Sequence, residues 1–385
     1  MDVRKEALIC AMSRLLINHP LTGRRLIEAS AKKGEGEEGL EGLLSGGESF
    51  VIETLGKDNG KGIASELFSR EMIDWAQEEA EWYLKKRVLI IPITSPLYPP
   101  LLRECADAPF ALYYKGVRSD GEVDCKIFGR RMLSVVGTRL ASQYGRECCT
   151  LIISELANHV PKLQIISGLA MGIDGCAHLA ALDNSLETFA VLPCGIDQIY
   201  PAAHRDMAVR ILEQGGVLTE YPRGIKPLRR NFLQRNRIIS GMSDALLVVE
   251  SRVSGGSMSS VEYASGYSRD IFAVPGRMSD ANSYGCNYLI NRNVAQLVLN
   301  GTSIVNSMGW AKDKISDILQ QPTLFSATRE LKAKLLLSLS FVKGRDEESL
   351  IQESGAEVGD VSLALLELEL EGKIRKVASG GWIKC

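Results

Sequence analysis

Between Met132 and about Val305 the chain repeats one pattern: a short apolar run rich in β-branched residues, a glycine cluster, then a stretch with apolar residues at helical spacing. The runs are LSVV (133–136), QIIS (164–167), TFAVL (188–192), GVLTE (216–220), ALLVVE (245–250) and IFAV (271–274). Each is nearly continuous in apolar residues, as a strand buried on both faces must be. Amphipathic stretches at 141–159, 203–214 and 257–269 alternate with them. The pattern predicts an α/β fold, an extended Rossmann-like, doubly wound parallel sheet with helices on both faces.

The flanking segments read differently. Residues 1–87 carry helical periodicity at 6–17, 23–31 and 69–86, which predicts a small helical domain. The glycine- and glutamate-rich GEGEEGLEGLLSGGES between them reads as a solvated loop or a weak helix boundary. A strand in VLIIPITSPLYPPLL and an extended run at 110–114 lead into the core, taken as 88–312. A polar connector at 313–328 follows. Residues 329–385 then offer helices at 330–340, 347–353 and 357–371 and two short strands across ASGG, the outline of a winged helix-turn-helix. A chain of 385 residues has room for these units at roughly 150 residues per domain.

No run is apolar for the ~18 residues of a membrane span, and Arg14 interrupts the apolar start, so no membrane segment or secretory signal is expected. The nine cysteines are odd in number and contain no C-x-x-C. They read as reduced thiols, and the expected location is the cytoplasm. With four scattered histidines no metal-ligand spacing appears, so no metal is expected.

Chemistry is expected where the glycines cluster: Gly137-Thr138-Arg139, Ser167-Gly168 through Asp174, Pro193 to Asp197, Gly255-Gly256-Ser257, and Pro275-Gly276. In a parallel sheet these loops share the carboxyl edge, where helix N-termini and a switch in strand order favour an anion. The chain lacks G-x-x-x-x-G-K-[ST] and, after its first core strand, G-x-G-x-x-G, so neither nucleotide hydrolysis nor a dinucleotide cofactor is expected. No catalytic order of Ser, His and Asp stands out. His178 and His204 read as structural, and Asp174 reads as a helix N-cap. The segment from Tyr221 to Arg237 holds six basic residues and no acid on a chain of net charge −2, with Phe232 inside it. Cations that track phosphates beside an aromatic platform are what single-stranded nucleic acid requires.

Several long strings taken together resemble the DNA processing protein A family (DprA, or Smf). They are VVGTR (135–139), SGLAMGIDGCAH (167–178), PCGIDQIYP (193–201), NFLQRNRIISGMSDALLVVE (231–250), and AVPG (273–276) with NSYGCNYLI (282–290). The resemblance implies a non-enzymatic single-stranded DNA-binding protein that protects incoming DNA and hands it to RecA during natural transformation, and a homodimer through the core domain. It places DNA contacts on Arg139, Ser167, Gly168, Arg229, Phe232, Arg235, Asn236 and Arg237; the neighbouring Gly137 and Thr138, and Gly255, Gly256 and Ser257, complete the candidate site. Arg229 stands where the family often has Lys, Met171 where it often has a polar or basic residue, and Ser95 where Asp is common. The N-terminal helices resemble the family's sterile-alpha-motif-like domain but lack its two-glycine turn.

The competing reading is enzymatic. Ser254-Gly-Gly-Ser-Met-Ser-Ser-Val-Glu262 has the spacing of P-G-G-x-G-T-x-x-E in the related "lonely guy" phosphoribohydrolases, with only the two glycines and Glu262 matching. The last helix of the winged unit is acidic, with Glu357, Asp360, Glu367, Glu369 and Glu371 and no Lys or Arg. Such a helix would be repelled by a phosphate lattice, so a protein contact is expected of it. Its apolar positions Val361, Leu365, Leu366 and Leu368 are candidates for core packing or for that contact.

Overall fold

The computed structural model describes residues 3–32, 40–117, 127–129, 131–310, 329–340, 344–370, 372–377 and 381–384. They form two compact units, Met1–Trp310 and Ala311–Cys385.

The first unit is built on a nine-stranded sheet: β1 (Leu89–Pro92), β2 (Ala111–Gly116), β3 (Met132–Val136), β4 (Gln164–Ser167), β5 (Glu187–Val191), β6 (Gly216–Thr219), β7 (Ala245–Val248), β8 (Asp270–Ala273) and β9 (Gln296–Leu297). Their order is β1-β2-β6-β5-β4-β3-β7-β8-β9. Strands β3 to β9 run parallel, whereas β2 pairs antiparallel with both β1 and β6. The chain starts the parallel part at β3, steps outward through β4, β5 and β6, and returns to the other side of β3 with β7. The order therefore reverses between β3 and β7, and the crevice above their carboxyl ends is the expected ligand position in such a sheet.

Side-chain alternation sorts the core into two layers. Leu133, Val135, Ile165 and Leu247 pack with the helices Gln143–His159 and Ile173–Asp183. Val136, Ile166, Leu246 and Val248 face the opposite layer, which holds Ile238, Ile239 and Met242 of the helix Arg229–Met242. All six runs read from the sequence are strands. The two-residue β9 carries no pattern long enough to be read.

At the amino terminus stand helices Val3–Leu16, Pro20–Ala31, Glu41–Leu55, Lys57–Leu67 and Arg70–Lys85. The expected solvated loop or weak helix boundary is, from residue 41 onward, a packed helix. Leu43, Phe50, Val51 and Leu55 are buried, and the helix kinks at Gly47, whose φ is +52°. Glycine content hid an apolar face. Residues 34–39 of that stretch lie outside the described residues. Tyr83 stacks on Tyr113 of β2 at 4.6 Å, and Arg223 donates to Glu79 at 2.7 Å, so these helices are tied to the sheet and to the loop after β6.

The second unit has helices Arg329–Ser338, Glu347–Ser354 and Val358–Leu370 and an antiparallel pair, β10 (Ile374–Lys376) and β11 (Trp382–Lys384), with Arg345 bridging to Trp382. Leu335, Leu350, Val361, Leu365, Leu368 and Trp382 close its core. It is a winged helix. Leu366, by contrast, is 52% exposed.

Arg237, expected at the DNA site, is instead a buried anchor. Its side chain pairs with Glu220, just beyond β6, and donates to the Asp107 carbonyl at 2.5 Å. Its charge is thus spent inside the protein. Removing one partner of a buried pair strands the other, whereas removing both does not. Arg237→Met should lower unfolding stability by about 3–5 kcal/mol. Adding Glu220→Leu should recover most of that loss, as read by urea denaturation; a double variant no better than the single one contradicts the assignment.

Candidate nucleic-acid interface

A cleft of about 650 Å³ opens at the reversal between β3 and β7. Five segments line it: the turn after β3 (Gly137, Thr138, Arg139), the start of helix Ile173–Asp183, the loop after β5 at Tyr200, helix Arg229–Met242, and the loop and helix start from Ser251 to Ser260.

Helix Arg229–Met242 presents Arg229, Phe232, Leu233 and Asn236 to the cleft, a stripe at three- and four-residue spacing. Arg139 lies over the Phe232 ring at 4.7 Å from its centroid. Tyr200 meets the same ring edge-on, with centroids 5.6 Å apart and an interplanar angle of 71°. Arg139 and Arg229 are exposed, and so is Arg252 on the opposite lip. The result is an aromatic platform ringed by guanidinium groups.

The floor is charged but closed to water. Arg235 is 3% exposed, donates to the Val191 carbonyl at 2.8 Å and faces Asp174. Burial brings its guanidinium down to about 10, still protonated at neutral pH. Burial likewise raises the Asp174 carboxyl, and Arg235 pulls it back. Gly168 is required here because a Cβ would run into that guanidinium. Gly172, with φ +83°, abuts the Thr138 carbonyl and caps the next helix. The cap is thus Gly172 and not Asp174 as expected; Asp174 sits in the first turn and accepts from the Ala170 N–H at 3.3 Å.

The far lip is the N-terminal end of helix Ser257–Gly266. Asn236 Nδ2 donates to the Gly256 carbonyl at 3.2 Å and to Ser259 Oγ at 2.9 Å, bridging the two helices across the cleft.

Comparison with known proteins agrees with this geometry. Residues 89–309 match the model of DNA recombination-mediator protein A, and 323–380 match the DprA winged helix domain. The chain is 34% identical over 307 residues to protein Smf of Escherichia coli (strain K12), covering 79% of each chain. The chain belongs to the DprA family. It is also 39% identical over 213 residues to DNA processing protein DprA of Streptococcus pneumoniae, covering 55% of this chain and 72% of that one. The X-ray structure of DprA from Streptococcus pneumoniae superposes with a TM-score of 0.55 at 31% identity, covering 70% of this chain and 97% of the other.

Within this DprA-family chain the structure sorts the expected residues into three groups. Gly137, Thr138, Arg139, Arg229, Phe232, Arg235, Asn236, Gly255, Gly256 and Ser257 converge on the cleft. Ser167 and Gly168 lie beneath it, fully buried, with Ser167 Oγ donating to the Val135 carbonyl at 2.7 Å. Arg237 points elsewhere. Of the six basic residues between Tyr221 and Arg237, three are committed to structure: Arg223 to Glu79, Arg235 to the floor, Arg237 to Glu220.

Tyr200, Ser251, Arg252, Ser254, Ser259 and Ser260 also line the cleft and carried no expectation of their own. Tyr200 sits in the string that resembles the family, but only the fold shows that it reaches Phe232. His178 is buried against Thr188 at 2.7 Å, and burial lowers it to about 3, so it stays neutral. His204 bonds the Leu169 carbonyl at 2.9 Å. His204 thereby holds the loop between β4 and its helix, while His178 ties that helix to β5. Glu262 is exposed and absent from the cleft lining. Among the described residues no group of three or more His, Cys, Asp or Glu is placed to hold a metal ion, and no helix is long and apolar enough to cross a membrane.

Proposed function

We propose that the chain binds single-stranded DNA in this cleft and passes it to a recombinase, RecA, in recombination of incoming DNA. One observation carries the reading: an aromatic ring covered by a guanidinium, with exposed cations on both lips of an open cleft. A base gains by stacking on Phe232, and Arg139 exchanges the ring for a phosphate. Duplex DNA keeps its bases paired and offers none to such a platform. The name of the pneumococcal relative, DNA processing protein, supports the same role.

Binding without catalysis is the accompanying reading. An N-glycosidase built like the phosphoribohydrolases needs its carboxylate at the bound nucleotide, and Glu262 stands outside the cleft on the exposed side of its helix. A homodimer through the core has a candidate surface at the β9 edge, where Gln296 and Leu297 are exposed and Leu299 is 70% exposed.

Phe232→Ala should weaken binding of a single-stranded oligonucleotide by ~1–3 kcal/mol, the usual worth of a base–aromatic stack. Arg139→Ala should also reduce the log–log salt slope by about 0.7, one phosphate on a single strand. Mobility shifts across a salt series check both, and binding should survive chelator and the absence of ATP. Wild-type affinity in both variants would place the site elsewhere.

The winged helix unit is assigned to protein contact, since Glu357, Asp360 and Glu369 are exposed along its last helix beside Val358 and Leu366. Deleting 326–385 should leave single-strand affinity within about threefold, ~0.7 kcal/mol. A tenfold loss with the core still folded by circular dichroism would assign DNA to that unit.

A further inference from the structure

The cleft has two poles of different chemistry about one helical turn apart. Phe232 and Asn236 are four residues apart on one helix, where side chains originate roughly 6 Å from each other. Asn236 in turn touches Gly256 and Ser259, so the aromatic pole is held against the N-terminus of helix Ser257–Gly266. No side chain caps that helix. The Met258 N–H is taken by the Gly255 carbonyl at 3.0 Å, but Gly255, Gly256 and Ser257 line the cleft, so the positive end of the helix dipole borders it.

A second observation marks the same pole as built for a ligand. Ser260 lines the cleft, is 1% exposed, and its Oγ has no hydrogen-bond partner among the described residues. Arg235 on the floor, 3% exposed, has an unpartnered Nε. Buried polar groups left unmatched are costly, and an incoming oxygen ligand satisfies them. Asp174 is the one carboxylate among the described lining residues, and it faces Arg235.

We infer that this pole binds a terminal phosphomonoester, with the base of the same nucleotide on Phe232. The ligand is a nucleoside monophosphate, either free or as the phosphorylated end of a strand. A monoester brings roughly two charges and three acceptor oxygens, more than an internal diester, and so matches a cluster of donors better. A cleft of about 650 Å³ is of the size that holds one small ligand. The inference rests on the single-strand reading of the same cleft.

Calorimetric titration of the full chain with thymidine 5′-monophosphate, thymidine and inorganic phosphate tests it, with unphosphorylated and 5′-phosphorylated oligothymidylate as further arms. The monophosphate should bind about fivefold tighter than either fragment and be displaced by the unphosphorylated strand. A gain from strand phosphorylation identifies the strand end as the source, and its absence the free nucleotide. Ser254→Asp, which sets a carboxylate on the exposed part of this lip, should erase the advantage of the monophosphate over thymidine. The inference is overturned if the unphosphorylated strand binds but the monophosphate gains nothing over thymidine, or if its advantage survives Ser254→Asp. Failure of the unphosphorylated strand to bind overturns the single-strand reading, and the inference with it.

Discussion

Two buried arginines set the rotation of helix Arg229–Met242, and the cleft follows from that rotation. Arg235 points down onto Gly168 and Asp174, and Arg237 points sideways to Glu220 and the Asp107 carbonyl. Between these directions the helix has one stripe left, and on it stand Arg229, Phe232, Leu233 and Asn236. Neither arginine has to touch a ligand to matter. A buried guanidinium without its partners is far more costly than an exposed one, so both hold the helix in one register. The small residue at Gly168 and the backbone turn at Gly172 are the matching concessions of the neighbouring loop.

The strand order supplies the rest. Because β7 returns beside β3, the turn carrying Arg139 and the helix start at Ser257 face each other across the cleft. Arg139 is thereby delivered to Phe232 from a segment more than ninety residues away in sequence. An aromatic ring on its own is an ordinary surface feature. A ring with a guanidinium over one face and Tyr200 at its edge is a platform with an exposed cation beside it.

Much of this was legible in the chain. Buried parallel strands declare themselves as short apolar runs, and glycines that follow them mark close approaches at the carboxyl edge. The winged helix was readable from its apolar spacing and its paired terminal strands. What escaped has physical causes. The helix at Glu41–Leu55 carries three glycines, which mask an apolar face. The basic run 221–237 looked uniform because sequence does not distinguish a solvated arginine from a buried one; Arg229 and Arg237 differ only in which side of the helix they occupy. Tyr200 and the serines of the far lip reach the cleft through tertiary contacts that leave no local periodicity.

The most direct measurement uses a single-stranded oligonucleotide carrying 5-iododeoxyuridine, irradiated with the full-length protein and mapped by peptide mass spectrometry. Crosslinks to Phe232 and Tyr200 are the result the cleft requires. Crosslinks confined to the winged helix unit, with Phe232 and Tyr200 unmodified, would contradict it.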